Sequence, residues 1–422
     1  MNKQASAMTS KKILLGLALA IAPWALHAQS NTSGLKLPEG FNAIVAADNI
    51  GRARHMAITP AGDLYVKLSR LNGGKGIVKL SDKNRDGVFE ETTSFGNYGG
   101  TGIYYKNNFL YASSDDAVFR YKLDAQGNVQ NPDQPEKIVT GLINRRQHET
   151  KSIVLDNEDN IYVNIGAYSN SCQESDRRQN SPGRANCPIL DSAGGIWQFK
   201  ANKLNQSYGE GLRYATGLRN VVGLDWNKQD NSLYVMQHGR DQLDMFPQHF
   251  STKQAVELPS ECMYKIEKGD NAGWPYIYYD HMQKKKMLAP EYGGDGKKEG
   301  SNQYIDPVAA YPAHLAPNGL LFYTGDMFPE KYKNGAFIAF HGSWNRSPEP
   351  QAGYFVVFQP FKNGVPSGDW EVFADNFAGV ETVTSPRQAA HRPCGLVQGP
   401  DGSLYVSDDV KGRIYKISYE KK

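Results

Sequence analysis

An all-β, six-bladed β-propeller is the fold this sequence predicts, and three observations carry it. One hairpin pattern recurs six times, helical periodicity is scarce throughout, and turn and strand formers are abundant, with 42 glycines and 24 tyrosines. Short strands need frequent turns, which glycine supplies by reaching positive φ, while tyrosine suits a pleated, half-buried surface. A sandwich or a simple barrel also has many strands, but neither readily explains six copies of one hairpin; a propeller repeats its blade around an axis. At 422 residues the chain exceeds an ordinary domain, yet closed β folds often run long as one unit. Residues 29–422 are therefore expected to form one propeller domain.

Taken in order, the chain begins with Lys11 and Lys12, the apolar run ILLGLALAIA, and a small residue, Ala28, within ALHAQS. A basic start, an apolar stretch and a small-residue cleavage point define an export signal, so residues 1–28 are expected to be a leader that is removed. The apolar run is shorter than the roughly 20 residues a spanning helix needs. No later segment is apolar enough to insert into a membrane.

The hairpins follow. They are HMAITPAGDLYVKLS from His55, GIYYKNNFLYASSDD from Gly102, SIVLDNEDNIYVNIG from Ser152, GLDWNKQDNSLYVMQHG from Gly223, GLLFYTGDMFPEKYKNGAFIAFHGS from Gly319 and GLVQGPDGSLYVSDD from Gly395. Each has an apolar strand, a turn built from Pro, Asp, Asn or Gly, and a second strand ending in a Leu-Tyr-Val-like or Ala-Phe-Ile run. Third strands are expected at GIVKL, AVFRYKL, GGIWQFK, GYFVVFQ and GRIYKI. The largest insertion, between the fourth and fifth hairpins, holds LPSECMYKIEKGDNAGWPYIYYD and reads as the rest of a blade plus a surface loop near the mouth.

Formal charge is +3, from 47 basic and 44 acidic residues, so no global field points to nucleic acid or a membrane surface. Four cysteines follow the leader. An exported chain favours disulfides, and Cys172 with Cys187 brackets one polar loop; Cys262 with Cys394 is the weaker second pairing. None forms a C-x-x-C or Cys/His metal pattern.

In a propeller the residues just before a blade's innermost strand and just after its second strand share one end of the ring. Into that register fall Arg54 and His55, Thr101, His148, Arg219 and Asn220, His314 and Asn318, and His391 and Arg392. Tyr168, Ser169, Asn170, His238 to Asp241, and His341 to Arg346 join them from the second strands. Six of the nine histidines share this register. Each alone is an ordinary hydrogen-bonded loop residue; together with arginines at one mouth they would repel one another without an anion. Arginine's planar fork grips carboxylates, and Trp344 and Tyr168 are candidates to cover a flat ring. The expected ligand is planar and polyanionic.

Those residues, with HETKSIVL from His148, GLRNVVGLDW from Gly217, HGRDQL from His238, GDNAGWPY from Gly269, FHGSWNR from Phe340 and RPCGLVQGPDGSLYVSDD from Arg392, resemble the pyrroloquinoline quinone (PQQ)-dependent glucose/sorbosone dehydrogenases. Within that family the chain is most similar to the soluble, sorbosone dehydrogenase-like aldose dehydrogenases of the bacterial periplasm. The resemblance implies that His148 is the general base, removing a sugar hydroxyl proton while hydride passes to the quinone. It implies cofactor contacts from Arg219, Asn220, His314, Asn345, Arg346 and Arg392. It also implies calcium held by backbone carbonyls at Gly239 and Arg240, supplemented by Asp241 and Asp244. Arg240 stands where the better-known branch has proline, and Cys394 where it has a second arginine.

A competing calcium candidate is DKNRDGVFEE from Asp82, whose Asp82, Asn84 and Asp86 follow D-x-N-x-D-G spacing. Its twelfth position is Thr93 where an EF-hand needs glutamate, so a solvated hairpin turn is expected, with a peripheral structural ion as the alternative. The chain lacks C-x-x-C-H, so electrons are expected to leave for a separate soluble or membrane acceptor. Two other readings exist: a metal-dependent lactonase-like hydrolase, whose mouth needs carboxylates aimed at an ion, and a non-catalytic binding propeller.

Overall fold

The structure, a computed structural model, describes Met1 and residues 33–420; apart from Met1, the expected leader lies outside the described residues. Six sheets form the blades of the predicted ring, antiparallel throughout except where Gln206–Ser207 adds a short parallel edge to blade 2. Blade 1 runs Ala53–Ile58, Leu64–Asn72, Lys75–Ser81 and Glu91–Phe95. Blades 2 and 3 begin at Ile103–Lys106 and Ile153–Leu155, and blades 4, 5 and 6 at Val221–Asn227, Pro317–Phe322 and Pro393–Gln398. All five predicted third strands are present, and Glu261–Ile266 supplies the one in blade 4. Only one α-helix, Thr252–Glu257, occurs among the described residues. None of their helices is long and apolar enough to cross a membrane.

Blade 6 is completed from the other end of the chain. Phe41–Ala47 pairs antiparallel with Ile414–Tyr419 and becomes the blade's outermost strand. Phe41 then inserts edge-on against Phe328 and Phe373, with ring centroids 4.8 and 4.9 Å apart, so the borrowed strand is also buried against blade 5. Burial alternates along it on either side of Ala43 and Ile44, which are both buried, as a period-two strand with a local irregularity should show.

The glycine that opens four of the hairpins has a packing reason rather than a turn reason. A Cβ on Gly102 would lie 2.5 Å from Lys151 O, on Gly319 2.4 Å from Cys394 O, and on Gly395 2.4 Å from Arg54 O. Each of those oxygens belongs to the next blade, so innermost strands approach backbone to backbone around the channel. Serines reinforce the approach: Ser113 Oγ donates to Lys151 O at 2.5 Å and Ser407 Oγ to Arg54 O at 2.6 Å. Gly319→Ala is therefore expected to destabilise the fold by about 1–3 kcal/mol, the usual cost of overpacking. A chemical denaturation midpoint equal to wild type would refute this account.

Cys172 and Cys187 form the expected disulfide, with Cα atoms 6.0 Å apart. Cys262 and Cys394 are free and buried, so the weaker pairing does not form. The Asp82 loop gathers oxygens of Asp82, Asp86 and Glu90 within 4.8 Å of one another. They also serve their own turn, since Gly87 N donates to Asp82 Oδ2 at 2.8 Å and Lys83 N to Glu90 Oε2 at 3.0 Å. Such bonds from backbone N–H groups to nearby carboxylates are the kind that hold a polar turn.

Candidate active site at the channel mouth

At one end of the channel a cavity of about 410 Å³ is lined by Arg54, Arg146, His148, Asn220, His341 and Arg392, with His238, Asn318 and Trp344 beside them. Five blades contribute, as the shared register of the hairpin ends requires. A second cavity of about 310 Å³ occupies the channel itself, walled by innermost-strand residues such as Ile103, Leu320 and Leu396. The mouth, where cations and imidazoles converge, is the candidate chemical site; the channel cavity is lined by one carboxylate and one lysine, Asp225 and Lys228, and by no arginine.

His148 is held unusually. Its φ is 52°, a left-handed conformation uncommon outside glycine, and such outliers persist where surrounding structure enforces them. The enforcement is visible: a Cβ on Gly166 would fall 2.6 Å from His148 Cβ, so only glycine lets the loop pass. His148 Nδ1 lies 2.5 Å from the Ala167 carbonyl, which can only accept, so Nδ1 carries the proton and donates it. Nε2 is left as the nitrogen with the lone pair. Burial first, and then the Arg219 guanidinium, hold the imidazole pKa well below its ordinary range. The ring is thus neutral and proton-accepting near neutral pH.

Two carboxylates organise the cations. Asp241 accepts from Arg219 Nη2 at 2.8 Å, Arg177 Nη2 at 3.0 Å and Asn345 Nδ2 at 3.0 Å. Burial opposes its ionisation, but Arg219 and Arg177 overcome that and keep its pKa far below the usual carboxylate value. Asp409 plays the same part across the mouth, 3.0 Å from Arg54 Nη1 and 2.7 Å from His341 Nε2. Arg392 is oriented by carbonyls, donating to His341 O at 3.0 Å and Gly342 O at 2.5 Å. Neither Arg392 nor Arg146 pairs with a carboxylate at ion-pair distance among the described residues.

The expected contact residues divide. His148, Asn220 and Arg392 line the mouth cavity. Arg219 lies just beneath, with its guanidinium committed to Asn170 O at 3.1 Å, Gly239 O at 2.9 Å and Asp241. Asn345 and His314 sit behind Asp241; His314 donates from Nε2 to Ala255 O at 2.9 Å. Arg346 turns away from the mouth, donating to Val256 O at 2.8 Å and Glu257 Oε1 at 2.7 Å. The Arg240 side chain also points inward, to Glu291 Oε1 at 2.6 Å. Trp344 stands at the rim with 58 % of its surface exposed, while Tyr168 is covered by Arg145 at 4.6 Å outside the cavity.

Some polar groups at the mouth still lack partners. Asn220 Oδ1 and His238 Nε2 are buried without a hydrogen bond, and buried polar atoms ordinarily find partners. With Arg146 and Arg392, which have no carboxylate partner among the described residues, they fit a polar, polyanionic ligand, in a volume of the size that small-molecule sites occupy. The expected calcium position fits less well. Gly239 O already accepts from Arg219, so a divalent cation at that carbonyl would face a guanidinium.

Sequence reasoning passed over Asp409, Arg177 and Glu261. Glu261 is buried, accepts from Gly239 N at 2.8 Å, and is pushed up to about 8 chiefly by burial. Asp409 left a signal: it closes VSDD in the sixth hairpin, as Asp116 closes SSDD in the second.

Compared with known proteins, residues 35–420 match the model of a family described as TrAA12-like. A pyrroloquinoline quinone-dependent pyranose dehydrogenase of Coprinopsis cinerea is 26 % identical over 351 residues, covering 75 % of this chain and 46 % of that protein. The similarity thus spans about half of that relative. Among solved structures, the calcium structure of a Trichoderma reesei carbohydrate-active enzyme of family AA12 superposes with a TM-score of 0.75 at 18 % identity, covering 93 % of this chain and 98 % of that one. The holo form of the PQQ domain of the Coprinopsis cinerea pyranose dehydrogenase gives 0.71 at 20 % identity, covering 92 % and 98 %. At these identities the structural likeness establishes the six-bladed fold.

Proposed function

The chain belongs to the TrAA12-like family, and from that premise we propose that its mouth binds PQQ and oxidises a sugar hydroxyl, with His148 as general base. The observation that carries the proposal is a neutral imidazole whose acceptor nitrogen is left free at a cavity edged by Arg54, Arg146 and Arg392. When bound, PQQ supplies a two-electron acceptor. The chain's residues do the rest. Arg392 and Arg146 bind carboxylates, Asn220 and His238 offer unpartnered polar atoms, and Trp344 offers an indole face at the rim.

His148 Nε2 receives the hydroxyl proton, and the hydrogen bond from its Nδ1 to Ala167 fixes the tautomer needed to do so. No step is routed through calcium, because the Gly239 carbonyl is bonded to Arg219. The lactonase-like reading is less well supported. Asp241 and Asp409, beside the mouth, are already bonded to guanidinium groups, and Glu149 is the one carboxylate in the cavity's lining, so among the described residues no cluster of carboxylates converges there on an ion.

The Cys172–Cys187 disulfide supports an oxidising compartment, and export to the periplasm by the leader at 1–28 forms part of the same proposal. A separate acceptor takes the electrons. The test is reconstitution of the purified apoprotein with PQQ, with and without calcium, against a panel of aldoses and an artificial dye. Sugar-dependent dye reduction that requires PQQ is expected; lactone opening without quinone would overturn the proposal. Arg392→Ala is further expected to weaken PQQ affinity by at least about tenfold, the scale of one charge-assisted bond. Equal affinity by equilibrium dialysis would mean that Arg392 makes no contact with the cofactor.

A further inference from the structure

Beside the mouth, on the same face, a groove of about 390 Å³ lies between blades 6 and 1. Arg52, Arg70 and Lys411 surround it, and Leu71 and Val410 form its apolar part, exposed to 47 % and 40 %. Among the described residues none of the three cations pairs with a carboxylate, and no acidic residue lines the groove. This is a local positive field on a chain whose overall charge is close to balanced.

The groove is preformed. Asn72 Nδ2 donates to Ile50 O at 3.2 Å, Ser69 N to Arg52 O at 2.9 Å, and Ile50 N to Gly412 O at 3.2 Å. These bonds tie the hairpin end at Arg70–Asn72 to the segment that joins the two blades. It is also next to the chemistry. Arg52 is two residues from Arg54, and Val410 follows Asp409, the carboxylate that holds Arg54 and His341.

We infer that this groove docks an acidic one-electron carrier protein that collects electrons from the mouth, an inference that rests on the proposed dehydrogenase reading. Removing hydrogen from a sugar carbinol releases two electrons and two protons. Two carriers would each be reduced by one electron, with the protons going to water. An apolar patch ringed by charge has the anatomy of a transient protein interface. Unpaired cations steer an acidic partner towards it and raise its association rate. Carboxylates on the partner would meet Arg52, Arg70 and Lys411 while its apolar surface covers Leu71 and Val410.

The test uses the apo chain, so its binding readout does not depend on cofactor loading. An acidic one-haem c-type cytochrome and an acidic flavodoxin serve as probes, with a basic one-haem cytochrome as control, at low and high salt. The acidic probes should bind, lose affinity as salt rises, and bind about tenfold or more weakly to the R52E/R70E/K411E variant, the scale of three exposed charge contacts. The loaded variant should reduce a small neutral dye at the wild-type rate, since none of the three residues lines the mouth cavity. Equal binding of acidic and basic probes, or unchanged affinity in the variant, overturns the inference. So does finding that the groove instead holds anionic lipid vesicles or a second copy of the chain. Absence of dye reduction by the unmodified, PQQ-loaded protein counts against the dehydrogenase reading, a failure separate from either binding result.

Discussion

Replacing His148 with alanine is expected to lower turnover by about 10²–10⁴-fold, the usual contribution of a positioned general base, while PQQ affinity stays within about threefold of wild type. The asymmetry follows from the geometry. His148 gives its only N–H to Ala167, so it holds no donor for a carboxylate and contributes a lone pair instead. Measuring kcat with saturating sugar and dye, alongside equilibrium dialysis of PQQ, separates the two effects. Turnover near wild type would remove His148 from the chemistry; loss of PQQ binding would recast it as a binding residue. A pH profile adds a sign. Because burial and Arg219 depress the imidazole pKa, the base is already unprotonated well below the range where an ordinary histidine titrates. The acid limb of kcat/KM should therefore fall below pH 6; a limb near 6.5 would count against that environment.

The second large effect is expected at Asp241. Truncation to alanine leaves Arg219, whose side chain is only 4 % exposed, without its carboxylate, together with Arg177 and Asn345. Removing one partner of a buried ion pair typically costs about 3–5 kcal/mol. Urea or thermal unfolding of the apoprotein at neutral pH reads this directly. The pH dependence has a definite direction. Asp241 has a depressed folded pKa, so its contribution is complete above the unfolded value of about 3.9 and is lost as pH falls below it. The gap between wild type and Asp241→Ala should accordingly narrow in acid. A gap that stays constant down to acid pH, or a variant as stable as wild type at pH 7, would mean that the arginines find other partners.

Much of the architecture was legible because it is local. Period-two burial, turn residues and the recurring Leu-Tyr-Val run mark the hairpins, and Gly102, Gly223, Gly319 and Gly395 mark equivalent places on innermost strands. The fastening of blade 6 by Phe41–Ala47 was not legible, since nothing in that segment names the distant strand it will pair with. The site shows the same division. Register places His148, Arg219 and Arg392 at one end of the ring, since backbone position follows from strand order. It does not say where a long side chain will go. Arg346 had the register of a mouth residue, but its guanidinium found the carbonyls of Val256 and Ala313 and the Glu257 carboxylate. Arg240 likewise found Glu291, which lies far along the chain in the insertion. Cationic side chains go where acceptors converge, and that convergence belongs to the tertiary structure.

The borrowed outer strand of the last blade has a consequence for how this molecule comes into being. Its clasp joins segments that lie far apart in the sequence, Phe41–Ala47 and Ile414–Tyr419, so the circle cannot be sealed until the later of the two has been made. Such distant pairings form slowly. The seam between Phe41–Ala47 and Ile414–Tyr419 should be the last part to gain protection from hydrogen exchange during refolding.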